Sequence, residues 1–243
     1  MAQGSVRVLA LRHIMCEYLG GFERFFTDAG AQYNYIDTAT GGELPRNHDG
    51  YDVLVVLGGP MSVNDTDEWL NEEKRFVREA VERGKTTVGF CLGAQMIAKV
   101  FGAKVAPGER KEVGFMNIDV AETAASDPLL KGLARPHQIV YQLHQEGFEL
   151  PSGAVRLASS AAYPNQAYRL GERCWGMQFH IEIDHTMLVE WVKEYWGEPA
   201  TLPADSYARV MLRDAEQHLP KLEPLARTVA NNIIKIAAES NSK

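Results

Sequence analysis

The stretch Thr86-Thr87-Val88-Gly89-Phe90-Cys91-Leu92-Gly93-Ala94-Gln95 reads as a short apolar-leaning strand that runs into a helix through a cysteine set between two glycines. A strand followed at once by a helix is the unit of an α/β fold, and the flanking segments repeat it. Upstream, residues 6–11 read as a first strand, 18–29 as a helix stopped by Gly30, and 32–37 as a second strand. The run Val53-Leu54-Val55-Val56-Leu57 is continuous and β-branched, which suits a parallel strand covered on both faces. Residues 67–83 put Trp69, Leu70, Phe76, Val77, Ala80 and Val81 on one helical face before Gly84, and a helix over 92–101 closes at Gly102. This order predicts a doubly wound, mainly parallel central sheet with helices on both faces.

Beyond residue 103 the pattern changes to shorter strand-like pieces, VGFMNIDV, QIVYQL, AVRLAS and CWGMQF, separated by Pro, Gly and Asn. They are expected to form a small antiparallel extension of the same sheet. The chain from Thr186 onward is helical in character, with HTMLVEWVKEYWG followed by two further segments, 206–219 and 224–240. Residues 1–243 are therefore expected to make a single domain, with 197–243 a helical C-terminal extension that covers the domain or meets another copy of the chain.

Of the 243 residues 45% are hydrophobic, enough for a sizeable core. The formal net charge is −7 and the densest basic segment is the mixed GERKE at 108–112, so nucleic acid and anionic membranes are poor partners. Cys16, Cys91 and Cys174 are odd in number and far apart, which predicts reduced thiols in a cytoplasmic protein and no zinc site. The amino-terminal apolar run is short and interrupted by charge, so neither a signal peptide nor a membrane anchor is expected.

Gly89-x-Cys91-x-Gly93 is the thiol version of the nucleophile elbow, in which small flanking residues permit a sharp strand-to-helix turn. The helix N-terminus would favour a thiolate, and the Leu92 N–H would point at a reacting carbonyl oxygen. Alone, the pattern fits an elbow or a tightly packed turn equally well. A thiol nucleophile also needs a base and something to orient that base. Gln178-Phe179-His180-Ile181-Glu182 supplies both, because residues two apart on an extended segment face one side. Standing alone, the pair is better read as His180 capping a strand and Glu182 carrying a solvated charge; coupled to the elbow, the catalytic reading is preferred.

Together GFCLGAQ, QFHIE and VLGGP resemble, in this chain order, the signatures of class I glutamine amidotransferase domains, most nearly that of GMP synthase. The resemblance spans about residues 6–195 and implies the flavodoxin-like fold of that family. It implies a Cys91-His180-Glu182 triad that cleaves a γ-glutamyl amide through a thioester, with Gly59 and Leu92 donating backbone N–H groups to an oxyanion. It implies substrate-binding places for Gln95, for Gly58 in the Gly58-Gly59-Pro60 loop, and for His144 in VYQLHQE. Glu112-Val113-Gly114-Phe115 resembles another stretch near the pocket, without assigned chemistry. The mechanism requires no cofactor.

Two departures matter. Many members have proline between the histidine and the glutamate, where this chain has Ile181. Residues 197–243 contain no Gly-rich phosphate loop, so the chain is not expected to carry the ammonia-consuming synthetase activity itself. Three functions follow as expectations: a glutaminase able to pass ammonia to a separate synthetase, a γ-glutamyl peptide or amine hydrolase, and a binding or regulatory protein without turnover. A homo-oligomer is compatible with each. His13, His48, His137, His185 and His218 are expected to be structural or superficial, Cys16 and Cys174 inert, and Trp191, Tyr195 and Trp196 to pack in the core or at an interface.

Overall fold

The computed structural model describes residues 5–131 and 136–240. In chain order its principal elements are β1 (Arg7–Arg12), α1 (Gly21–Asp28), β2 (Gln32–Asp37), β3 (Val53–Val56), α2 (Glu68–Glu82), β4 (Thr86–Phe90) and α3 (Leu92–Val100). There follow β5 (Val105–Val120), β6 (His137–Phe148), β7 (Val155–Ser159), β8 (Ala167–Leu170), β9 (Cys174–Met177), α4 (His185–Trp196) and α5 (Tyr207–Ser240). The strands form one sheet in the order β2-β1-β3-β4-β9-β8-β7-β5-β6. Neighbours from β2 to β9 pair in parallel and the rest antiparallel.

Alternation along the parallel strands explains the two layers of helices. Val53 and Val55 of β3 face the side covered by α1, α4 and α5, where Phe22, Phe26, Trp191 and Val229 are buried. Leu54 and Val56 face the side covered by α2 and α3, against Leu70, Val77, Met96 and Ile97. Strands buried on both faces must be apolar throughout, which is the physical content of the VLVV run.

Two expectations need correction. The strand β8 lies in AYRL, between the pieces AVRLAS and CWGMQF, and goes unannounced in the sequence because four residues carry little periodic signal. The predicted pair of C-terminal helices is one 34-residue helix, α5, with Pro220 and Pro224 inside it. Both prolines are exposed, so water can take the carbonyls their missing N–H groups leave free. The buried stripe that includes Met211, Ala215, Leu222, Ala226, Val229 and Ile233 ties both halves to the same core. Among the described residues no helix is long and apolar enough to cross a membrane.

The parallel order 2-1-3-4-9 reverses direction between β1 and β3, which opens a crevice at the carboxyl ends of the strands. The loops after β1, β3, β4 and β9 converge there.

Candidate active site

Cys91 joins β4 to α3 with φ 47° and ψ −107°, the one non-glycine residue of positive φ among those described. Its N–H donates to Met177 O at 2.8 Å and its carbonyl accepts from Gln95 N at 3.0 Å, so β9 and the first turn of α3 hold the strained backbone in place. A methyl group on Gly89 would lie 2.5 Å from the Gly93 carbonyl carbon, and one on Gly93 only 2.0 Å from Val56 O. Both glycines of the G-x-C-x-G pattern are therefore dictated by the close approach of helix and strands.

The strand β9 ends at Met177, and the next residues turn toward this thiol. His180 N–H donates to Tyr141 O at 2.8 Å, an isolated antiparallel bridge to β6. His180 Nδ1 donates to Glu182 Oε1 at 2.6 Å, with both side chains buried. Trp191 stands edge-on to the imidazole, with ring centroids 4.8 Å apart. Burial by itself would depress the His180 pKa; the Glu182 carboxylate and a side-chain hydrogen bond with Cys91 outweigh it and hold the imidazole well above its ordinary value. The Cys91 Sγ also lies 3.9 Å from Leu143 O. Glu182 is itself anchored, because Gly21 N–H donates to its carbonyl at 2.7 Å. Ile181 is fully buried in the core, which gives an apolar residue at this position a packing role.

The other predicted residues gather around the same crevice. Gly59 lines it, and a methyl group there would meet Met61 Sδ at 2.6 Å and Leu92 Cδ2 at 2.9 Å. Leu92 is the first residue of α3, immediately after the thiol. Gln95 lines the cavity, with its Nε2 donating to Glu146 O at 3.2 Å and Gln178 Oε1 at 3.1 Å. His144 reaches the cavity wall, but both its ring nitrogens bond within the protein, Nδ1 with Glu146 O at 2.9 Å and Nε2 with Glu112 at 3.0 Å. Glu112, buried and also accepting from Ser160 and Gln166, thus braces the β5–β6 edge. Neither Cys16 nor Cys174 lines this cavity, although Cys16 adjoins Glu17; burial pushes the Cys16 thiol up to about 12 and raises the Cys174 thiol as well.

The loop after β1 contributes two residues that the motifs do not reveal. His13, completely buried, bonds through Nδ1 to Gly58 O and through Nε2 to Glu73 Oε1, both at 2.8 Å. A carbonyl and a carboxylate can only accept, so a protonated ring satisfies both. It clamps the Gly58-Gly59 loop to α2. Glu17 is also buried and accepts a 2.7 Å hydrogen bond from Tyr195 Oη. Burial raises its carboxyl above the ordinary value, opposed by His180, the Tyr195 hydroxyl and His13. Trp191 packs in the core as expected; Tyr195 and Trp196 are partly buried against the same core, as expected, and also line the cavity. They lie in the last turn of α4. The cavity measures about 440 Å³ and is bounded by Glu17, Gly59, Cys91, Gln95, Leu143 and Tyr195, among others.

Residues 24–192 match the family model for class-I glutamine amidotransferases. The chain belongs to that family. It is 30% identical over 183 residues to the glutamine amidotransferase-like protein YfeJ of Salmonella typhimurium, covering 73% of this chain and 76% of that one. It is 39% identical over 134 residues to one subunit of the glutamine-hydrolyzing GMP synthase of Pyrococcus abyssi, covering 55% of this chain and 67% of that polypeptide. Against several full GMP synthases it spans only 25% to 31% of their length. The crystal structure of a glutamine amidotransferase from Thermotoga maritima superposes with a TM-score of 0.85 at 30% identity, covering 96% of this chain and 99% of that one.

Proposed function

We propose that this chain hydrolyses the γ-amide of glutamine to glutamate and ammonia through a thioester on Cys91. The observation that carries the reading is the alignment of Glu182, His180 and a strained, cavity-facing Cys91. His180 enters the reaction as an imidazolium paired with the Cys91 thiolate; Sγ attacks the γ-carbonyl carbon, and the oxyanion forms against the N–H groups of Gly59 and Leu92. As the tetrahedral species collapses, the C–N bond breaks and His180 gives the proton to the leaving nitrogen. Water then attacks the thioester while His180 removes its proton, the C–S bond breaks, and the thiolate is restored. Glu182 holds the Nδ1–H tautomer and stabilises the imidazolium throughout. Gln95, Gly58 and His144 shape the pocket, the last as a braced wall. The likeness to one polypeptide of a GMP synthase supports delivery of the ammonia to a separate synthetase.

A second reading, hydrolysis of a larger γ-glutamyl amine or peptide, is favoured by Glu17, Tyr195 and Trp196, which bound the cavity beyond what a triad requires. The test offers purified protein glutamine, γ-glutamyl peptides and γ-glutamyl amines, with released glutamate and amine measured beside C91A. Turnover that C91A abolishes is the expected result. Turnover that survives C91A, or silence together with no labelling of Cys91 by a glutamine-derived electrophile, refutes it.

A further inference from the structure

We infer that Glu17, backed by Tyr195 and Trp196, selects the amine released from the substrate, admitting ammonia and positively charged amines and disfavouring leaving groups that carry a carboxylate. The inference rests on the hydrolase reading above and adds to it the chemistry of the leaving group.

Three observations converge. The first is position. A methyl group on Gly58 would lie 2.0 Å from Glu17 Oε2 and 3.2 Å from His180 Cε1, so the carboxylate and the imidazole edge flank the same point. The imidazole must protonate the departing nitrogen, so the side of the thiol occupied by His180 is the leaving-group side. The acyl chain is then assigned to the part of the cavity bordered by Leu143, Gln95 and Glu146, with Sγ 3.9 Å from Leu143 O. The second is chemistry. Glu17 is buried yet borders the cavity, and Tyr195 Oη fixes its Oε1, leaving Oε2 as an acceptor. The third is the wall. Tyr195 and Trp196 stand nearly perpendicular with centroids 5.9 Å apart, and both border the cavity. A carboxylate beside aromatic rings suits an ammonium group and repels an anion. Lys111 of β5 also lines the cavity, next in sequence to Glu112, the register partner of His144 on β6.

The test compares three γ-glutamyl amides with leaving amines of equal length: a diaminoalkane, the alkylamine and the ω-amino acid. At pH 8 wild type should show the highest kcat/KM for the cationic amine and the lowest for the anionic one. In E17Q the cation-to-anion ratio should fall by roughly tenfold, as for one charge pair partly open to solvent. E17D, which keeps the charge, should retain the preference. A parallel arm needs no turnover: Cys91 is labelled with an ammonioethyl or a sulfonatoethyl thiosulfonate, resolved by mass spectrometry with C91A as control. The cationic reagent should react faster in wild type and lose that advantage in E17Q.

Faster labelling of wild type by the anionic reagent overturns the inference whatever the variants do, including a failure of E17Q to fold. Unchanged substrate ratios in a folded, active E17Q overturn it while leaving the hydrolase reading intact. Absence of turnover in wild type with a collapsed labelling ratio in E17Q supports charge selection by Glu17, while the hydrolase reading is decided by the glutamine-derived electrophile.

Discussion

Removing His13 separates the stability of this site from its chemistry. In H13L the Glu73 carboxylate loses its partner where both side chains are completely inaccessible, and Gly58 O loses its donor. Breaking a buried pair from one side costs about 3–5 kcal/mol, and an unpaired buried carbonyl adds roughly 1–3 kcal/mol. The double variant H13L/E73M removes both charges and keeps an apolar side chain of similar length, so only the carbonyl term remains, about 1–3 kcal/mol. Urea unfolding at pH 7 should therefore find the double variant more stable than H13L by several kcal/mol. Activity should not follow. Gly58 O is unclamped in both variants, so the Gly59 N–H, proposed above as an oxyanion donor, is no longer held in place, and loss of one such donor costs roughly 100-fold in kcat. A double variant no more stable than H13L would refute the buried ion pair. One that recovers wild-type kcat would refute the clamp.

Further expectations concern the elbow, the imidazole and the long helix. In G93A the new methyl group meets the Val56 carbonyl at 2.0 Å, so melting should reveal a loss of at least about 1–3 kcal/mol, with labelling of Cys91 impaired. In nitrogen-detected NMR, His180 should stay protonated well above the ordinary histidine range, and E182Q should move its titration to lower pH. Because the folded value is raised, this pair contributes stability that is fully present below about pH 6.5 and is lost as pH rises through the folded value. P220A and P224A should each stabilise α5 by about 2 kcal/mol, since alanine restores a helical N–H and its propensity gain exceeds the entropy it returns to the unfolded chain. Unchanged denaturant midpoints would show that those positions are not helical.

The parallel half of the fold was legible because its signals are local. Each strand there is a short apolar or alternating run, and Gly30, Gly84 and Gly102 follow the helices with positive φ, as helix stops do. Where local signals mislead, long-range burial has prevailed. Two prolines one turn apart predict a break near residue 220, yet both sit on the solvent side while the opposite face of α5 is fixed by the core. In the same way β8 is held by antiparallel pairing to β7 and β9 on either side, which no four-residue pattern announces.

The site divides along the same line. Its motifs are short because each belongs to one strand end: Gly89, Cys91 and Gly93 at β4, Gly58 and Gly59 at β3, His180 and Glu182 beyond β9. The residues without a motif act through partners far away in the chain, His13 through Glu73 and Glu17 through Tyr195. Neither His13 nor Glu17 has a spacing that means anything until the sheet has formed. What could have drawn attention is location, since both follow β1 and the carboxyl ends of parallel strands are where a doubly wound sheet collects ligands. The contrast has a chemical basis. A nucleophile and its base must meet any γ-glutamyl amide in one geometry, which short motifs can encode. On the proposed function, the loop after β1 and the last turn of α4 would instead meet the variable part of the substrate, with the triad breaking the bond and Glu17 selecting what departs.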